Sequence, residues 1–202
     1  CIALSLIIIW FAQNKNLYYK TRVKKIKDIM KFHYQISYLL KDKSNKFEKL
    51  YYKFKKYSSV FLLGKGQNES IAKEGSLKIK EVTYLHAEGY SSSALKHGPF
   101  ALIQKGLPII IIDTDEKHRD KTLNAVFETL TRDAELFIIT NKPENYKKVP
   151  IPSEQIIVIE YNENYHGLLA NIILQLLSYE LAVYFENNPD YPRNLAKVVT
   201  VE

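Results

Sequence analysis

Four short apolar runs limit the folds that this chain can adopt. They lie at residues 59–63, 108–113, 135–140 and 155–160, and stretches with helical patterns separate them. Strands that are apolar along their whole length need a cover on both faces. The alternation therefore predicts an α/β fold, in which a parallel sheet lies between helices on both sides.

The first 57 residues lack such runs and have a helical pattern instead. Residues 1–12 are apolar, Ile26, Ile29 and Met30 recur at helical spacing, and Leu50 and Phe54 share one face of a third segment. Twelve apolar residues are too few to span a bilayer, so we expect a helix buried against other protein. Its abrupt start predicts that the chain is a fragment of a longer polypeptide.

Composition excludes several classes of protein. Hydrophobic residues make up 46% of the 202 residues and charged residues 25%, which is typical of a globular domain rather than a disordered one. Cys1 is the single cysteine, so no internal disulfide can form, and a reducing cytoplasm is expected. The net charge of +7 arises mainly before residue 60, which favours solvated helix faces over a nucleic-acid surface.

The turn after the first strand contains Gly64 and Gly66 but does not predict a nucleotide site. A dinucleotide fingerprint needs a third glycine where Glu69 stands, and the Gly-Lys-Ser/Thr ending of a P-loop is absent. A tight strand-to-helix turn explains the two glycines equally well. His118 and His166 have no partners at ligand spacing, so no metal site and no cofactor are predicted.

Three places carry side chains suited to acid–base or amine chemistry. Glu74, Lys78 and Glu81 follow one helix face, either as an exposed ion-pair ladder or as a carboxylate tuned by an ammonium group. His97 precedes Gly-Pro on a constrained turn, where an imidazole is either solvated or a proton carrier. Lys197 lies in the C-terminal tail, where an amine is either solvated or able to attack a bound carbonyl.

Three motifs at these places resemble those of the glutamine–fructose-6-phosphate aminotransferase family. Residues 74–81 are similar to EGALKLKE, residues 95–99 match LKHGP, and residues 192–197 match PRNLAK, all in the family's order. The resemblance implies a sugar-isomerase (SIS) fold, which is a doubly wound, flavodoxin-like parallel sheet of about five strands. It also implies three parts: residues 1–57 as a helical linker and end of a preceding SIS domain, 58–190 as the second SIS domain, and 191–202 as an active-site tail.

The resemblance also implies roles for individual residues. Glu81 would carry the proton between C1 and C2 of the open-chain sugar, with Lys78 nearby. His97 would open the sugar ring and reach into the site of a neighbouring subunit. Lys197 would form a Schiff base with the C2 carbonyl, and Ala196 and Lys197 would contact the substrate.

The family further implies fructose 6-phosphate and glucosamine 6-phosphate as ligands, no cofactor, a cytoplasmic homodimer or larger assembly, and neither nucleic-acid nor membrane partners. Ala94 and Val198 depart from the family's pattern, which has glutamate and serine there. A glutaminase domain and a first SIS domain are missing, so we expect the fragment alone to be inactive. The alternatives are a non-catalytic phosphosugar-binding module that regulates a partner and a phosphosugar isomerase without amination.

Overall fold

The computed structural model describes residues 1–41 and 47–193. Its helices are α1 (Ile2–Gln13), α2 (Tyr19–Lys41), α3 (Glu48–Lys55), α4 (Gln67–Thr83), α5 (Arg119–Leu130) and α6 (His166–Tyr184). Its strands are β1 (Ser59–Gly64), β2 (His86–Ser91), β3 (Pro108–Asp113), β4 (Glu135–Thr140) and β5 (Ile156–Val158).

All five strands are parallel and lie in the order β2-β1-β3-β4-β5. The predicted α/β fold with about five parallel strands is therefore confirmed. The four apolar runs became β1, β3, β4 and β5, whereas β2 was not expected as a strand. β2 lies at one edge of the sheet, and Ala87 is its one buried residue, so its sequence lacks the apolar run that marks the other strands.

Side chains from the two faces of the sheet form two separate cores. Val60 and Leu62 of β1 point toward α3, α4 and α6, and Phe61 and Leu63 point toward α5 and the segment after β2. The alternation follows from the two-residue period of a strand. The sheet therefore divides the molecule into two layers of helices, with little connection between them except at its edges.

The helices before β1 attach to the sheet in different ways. Phe54 of α3 is fully buried and stacks on Phe137 of β4, so this end of the predicted linker packs into the sheet's own core. α2 packs into the same core through Phe32, whose ring lies 5.1 Å from that of Tyr165. Polar contacts add to this packing, including a hydrogen bond from the Asn162 amide to Gln35 (2.8 Å) and an ion pair between Lys31 and Glu160 (2.8 Å). The exposed lysines of α2 thus serve in part to hold the loop before α6.

The described residues contain one helix, α6, that is long and apolar enough to cross a membrane by length and composition. Its Leu174, Leu177 and Leu181 are buried in the core beside α4. A core helix passes the same test as a spanning one, and the packing identifies α6 as a core helix of this fold.

α1 is apolar around its whole circumference and has no buried residue. Trp10 and Phe11 are more than half exposed, and only Ile2 packs against the core. A helix that is apolar on every side needs a cover. The expectation that other protein covers α1 stays a prediction.

Two glycines let α4 approach its neighbours closely. A Cβ atom on Gly75 would lie 2.5 Å from Cδ1 of Leu174 in α6 and 3.0 Å from Cδ2 of Leu62 in β1, so this glycine permits close contact with both α6 and the sheet. A Cβ atom on Gly89 of β2 would lie 2.6 Å from the backbone of Lys73. These contacts fix the position of α4 between the edge strand and α6.

We predict that Gly89→Ala destabilises the domain by about 2 kcal/mol, because backbone atoms of α4 cannot move away from the new methyl group without disturbing the core. Gly167→Ala is the matched control, since its Cβ would meet Ile71 at an ordinary 3.7 Å. Urea unfolding of the two variants measures the difference. Equal stability of both variants would contradict the close packing of α4.

Candidate active site

The polar stripe of α4 forms a short ion-pair ladder near the end of the helix. The Nζ atom of Lys78 donates to Oε2 of Glu81 at 2.7 Å and lies 4.0 Å from Oε1 of Glu74. The Glu81 side chain is 22% exposed and that of Lys78 34% exposed. The arrangement brings two of the predicted site residues together and holds an ammonium group beside a largely shielded carboxylate.

His97 lies in a different layer of the molecule. It ends a short 3₁₀ turn, Leu95–His97, and Gly98 follows with a positive φ of 139°. Leu95 is fully buried in the core on the α5 side of the sheet, whereas α4 packs on the other side. His97 is exposed, and within residues 1–41 and 47–193 no hydrogen bond joins its side chain to Lys78 or Glu81. The imidazole and the Glu81 carboxylate therefore belong to segments that pack on opposite faces of the sheet.

The tail residues Ala196 and Lys197 lie outside the described residues, as does Val198. The last described residue is Arg193, whose backbone N–H donates to the hydroxyl of Tyr84 at 2.9 Å. Tyr84 follows α4 directly, three residues after Glu81. The described part of the chain therefore ends beside the last turn of the helix that carries Lys78 and Glu81.

The turn after β1 is structural in this chain. Gly66 has a φ of +62°, and a Cβ atom there would lie 2.5 Å from the imidazole of His118 and 3.0 Å from Asp115. The Lys65 ammonium lies 3.4 Å from the Ser91 hydroxyl of the neighbouring strand. The tight-turn interpretation of the two glycines fits these contacts, because the side chains after β3 already fill the space over the turn.

A buried charge network at the ends of β3 and β4 was not anticipated from the sequence. Oδ2 of Asp113 accepts hydrogen bonds from Arg119 Nε (3.1 Å) and from the Tyr146 hydroxyl (2.8 Å), and Arg119 also donates to Asn141 (3.0 Å). Burial raises the pKa of Asp113, and burial and the Asp113 carboxylate raise the pKa of Tyr146. The one sign of this network in the sequence is an aspartate at the end of an apolar strand. Its hydrogen-bond partners are 6 and 33 residues away along the chain, so no local pattern identifies them.

This network supports the fold rather than chemistry. Asp113 is completely buried and Arg119 is 8% exposed, so a sugar cannot reach either group. No cluster of three or more His, Cys, Asp or Glu residues within the described parts of the chain could hold a metal ion.

Two surface grooves in the described part of the chain lie away from the α4 ladder. One groove of about 510 Å³ is lined by Tyr146, Val149, Ile156 and Val158 among others. Another, of about 390 Å³, lies beside Tyr57 and Leu102. Neither of these two grooves is lined by Lys78, Glu81 or His97.

Comparison with known proteins links this chain and its fold to one group. The family model of the SIS domain matches residues 53–184. The chain is 48% identical over 159 residues to a probable glutamine–fructose-6-phosphate aminotransferase (isomerising) of Acanthamoeba polyphaga mimivirus, a match that covers 78% of this chain and 25% of that protein. It is 38% identical to an aminotransferase of the same name from Rhizobium meliloti, over 78% of this chain and 26% of that protein.

A solved structure agrees with these sequence matches. The C-terminal domain of glucosamine-fructose-6-phosphate aminotransferase from Francisella tularensis superposes with a TM-score of 0.82 at 28% identity, over 93% of this chain and 52% of that one. The chain thus spans about a quarter of the length of the curated relatives it matches.

We predict that a substitution of Glu81 and a substitution of Asp113 differ in their effect on the free energy of unfolding. Glu81→Gln should change the free energy of unfolding by less than about 0.5 kcal/mol, because a partly exposed helix pair contributes little. Asp113→Asn should cost about 3 kcal/mol, because its amide N–H₂ group must lie either against the donors of Arg119 and Tyr146 or in the place of Oδ1, for which the described residues offer no partner. Thermal unfolding of the two variants tests this difference.

The pH dependence of stability provides a second test of the network. Since the pKa of Asp113 is raised in the folded state, its contribution to stability is present at low pH and is lost as the pH rises through the folded pKa. Asp113→Asn should remove that dependence. A large loss of stability in Glu81→Gln, or none in Asp113→Asn, would contradict the assignment of the two clusters.

Proposed function

The chain belongs to the SIS domain family, where it corresponds to the C-terminal part of isomerising aminotransferases, and from this premise we propose that it supplies catalytic groups for making glucosamine 6-phosphate from fructose 6-phosphate and glutamine. The observation that carries the proposal is the Lys78–Glu81 pair, with the start of the tail one turn away. In this proposal the amine of Lys197 and the carboxylate of Glu81 act on the same substrate.

The chemistry of a ketose-to-aminoaldose conversion assigns a task to each group. His97 acts as acid and base when the sugar ring opens. The amine of Lys197 attacks the C2 carbonyl and forms a Schiff base with loss of water, and Ala196 beside it contacts the substrate. Ammonia released from glutamine then displaces the lysine and leaves an imine at C2. Glu81 takes a proton from C1 and returns it to C2, which moves the carbonyl character to C1. The neighbouring Lys78 ammonium donates a hydrogen bond to Oε2 of Glu81 at 2.7 Å and so fixes the position of that carboxyl group.

A complete site requires protein beyond this chain. The relatives are about four times as long as the part matched here, so their remaining length can contain a glutaminase domain and a first SIS domain. In this proposal the first SIS domain binds the phosphate of the sugar. It also covers the apolar surface of α1, on which Trp10 and Phe11 are exposed. The fragment alone is therefore inactive in this proposal.

The separation of His97 from Glu81 by the sheet supports a site shared between two copies. In a symmetric dimer each copy gives His97 to its neighbour and receives one in return, so both sites are completed by the same contact. The proposal is thus a cytoplasmic homodimer or larger assembly that acts on phosphosugars.

We predict that Lys197→Ala in the full-length protein lowers the rate of glucosamine 6-phosphate formation at least 100-fold, because the Schiff base cannot form. Lys96→Ala is the matched control, since Lys96 pairs with Glu128 on the α5 side and has no assigned role. Formation of glucosamine 6-phosphate from fructose 6-phosphate and glutamine is the measurement. Unchanged formation in Lys197→Ala would contradict the role that is assigned to the tail.

Mixed dimers test the shared site. Glu81→Gln and His97→Ala should each inactivate the full-length protein, but an equal mixture after subunit exchange should regain about a quarter of wild-type activity, since half of the dimers then have one intact site. The separate variants at the same concentration are the controls. A mixture as inactive as its components would show that His97 and Glu81 act within one copy.

A further inference from the structure

The residue that ends α4 has a backbone conformation unusual for its type. Tyr84 is left-handed, with φ +63° and ψ 10°, and its N–H closes the last turn of the helix on the carbonyl of Lys80. Glycine is strongly preferred at this position, because a side chain crowds the backbone there. A tyrosine at such a position calls for a role of its side chain.

The side chain of Tyr84 holds the start of the C-terminal tail. Its hydroxyl accepts the backbone N–H of Arg193 at 2.9 Å, and the guanidinium carbon of Arg193 lies 4.1 Å from the centre of its ring. The Asn187 amide adds a weaker contact at 3.4 Å to the carbonyl of Thr83. The two segments are 109 residues apart in the chain, so these contacts join the tail to α4 specifically.

The position of this contact limits where the tail lysine can go. Glu81 lies one helical turn before Tyr84, which is about 5 Å along the axis. Lys197 is four residues beyond Arg193, so its Cα atom can lie at most about 14 Å from that of Arg193. A fixed Arg193 therefore keeps the Lys197 amine within reach of the sugar carbon that Glu81 serves, which raises its effective concentration there.

We propose that Tyr84 and Arg193 form a tail anchor, and that both are positioning residues for Lys197. The inference rests on the proposed function, because it assumes that Lys197 and Glu81 act on one substrate. The phenol provides two separable contacts, a hydrogen-bond acceptor and an aromatic face for the guanidinium. Neither contact touches the substrate, so the anchor acts only through the place that it gives to the lysine.

The test uses the full-length protein and the variants Tyr84→Gly and Tyr84→Phe. Glycine suits the left-handed backbone, so Tyr84→Gly should keep or raise the melting temperature while it lowers kcat at least tenfold, with KM for fructose 6-phosphate changed less than threefold. Tyr84→Phe keeps the ring and should lose only about threefold in kcat, because one hydrogen bond is removed. If Tyr84 had only a structural role, Tyr84→Gly would not combine a lower kcat with an equal or higher melting temperature.

Tyr19→Ala is the matched control, because Tyr19 also stacks on an arginine, Arg22, at 5.3 Å but lies on α2. It should leave kcat unchanged. A Tyr84→Gly protein with wild-type kcat, or one whose loss of kcat follows a loss of melting temperature, would overturn the anchor.

Hydrogen exchange separates this inference from the proposed function. In the wild-type protein the amide of Arg193 should exchange at least tenfold more slowly than in Tyr84→Gly, since its N–H donates to the phenol. A wild-type protein that makes no glucosamine 6-phosphate would overturn the proposed function, and the anchor would then be judged by exchange alone. Equal exchange in both proteins would overturn the anchor, whatever the activity.

Discussion

The close packing of α4 between the edge strand and α6 is the contact on which the rest of the structure depends. Glycines at 75 and 89 remove the side chains that would keep the helix away from Leu174 and from β2. Because the helix lies this deep, its outer stripe is partly shielded, and Glu81 retains only about a fifth of its exposure. Tyr84 caps the same helix and accepts a hydrogen bond from Arg193, at the start of the tail. One helix therefore determines the positions of the carboxylate, the ammonium and the start of the tail.

The parallel sheet has the opposite effect on His97, because it places that residue in the other layer of the molecule. A two-layer fold with separate cores cannot bring groups from both layers together without an edge or a second copy. The domain thus presents parts of a site rather than an enclosed pocket. Its homology to one quarter of a longer enzyme fits that physical arrangement.

The sequence predicted the elements with strong local signals. The apolar runs that became β1, β3 and β4 were recognisable because central parallel strands are buried on both faces. The run that became the edge strand β5 was recognisable because its sequence is apolar as well. β2 was not, since an edge strand such as His86–Ser91 has too few apolar residues to stand out from a loop. The Lys78–Glu81 pair followed from helical spacing, but its functional interpretation depended on the family resemblance.

Long-range contacts were beyond the sequence pattern. Asp113 meets Tyr146 and Arg193 meets Tyr84 only after the chain has folded, and neither pair has a spacing that marks it. The left-handed backbone of Tyr84 was also invisible, since tyrosine gives no signal for it. Such contacts between distant segments decide how the recognised residues are arranged around a substrate.

Chemical trapping tests the central claim most directly. The full-length protein is incubated with fructose 6-phosphate, reduced with sodium borohydride and digested, and the modified peptide is identified by its mass. If this domain supplies the amine for the C2 carbonyl, the sugar phosphate is found on Lys197 and is absent when the protein is reduced without substrate. A protein that binds fructose 6-phosphate and carries no adduct, or carries it on Lys78 instead, would contradict the claim.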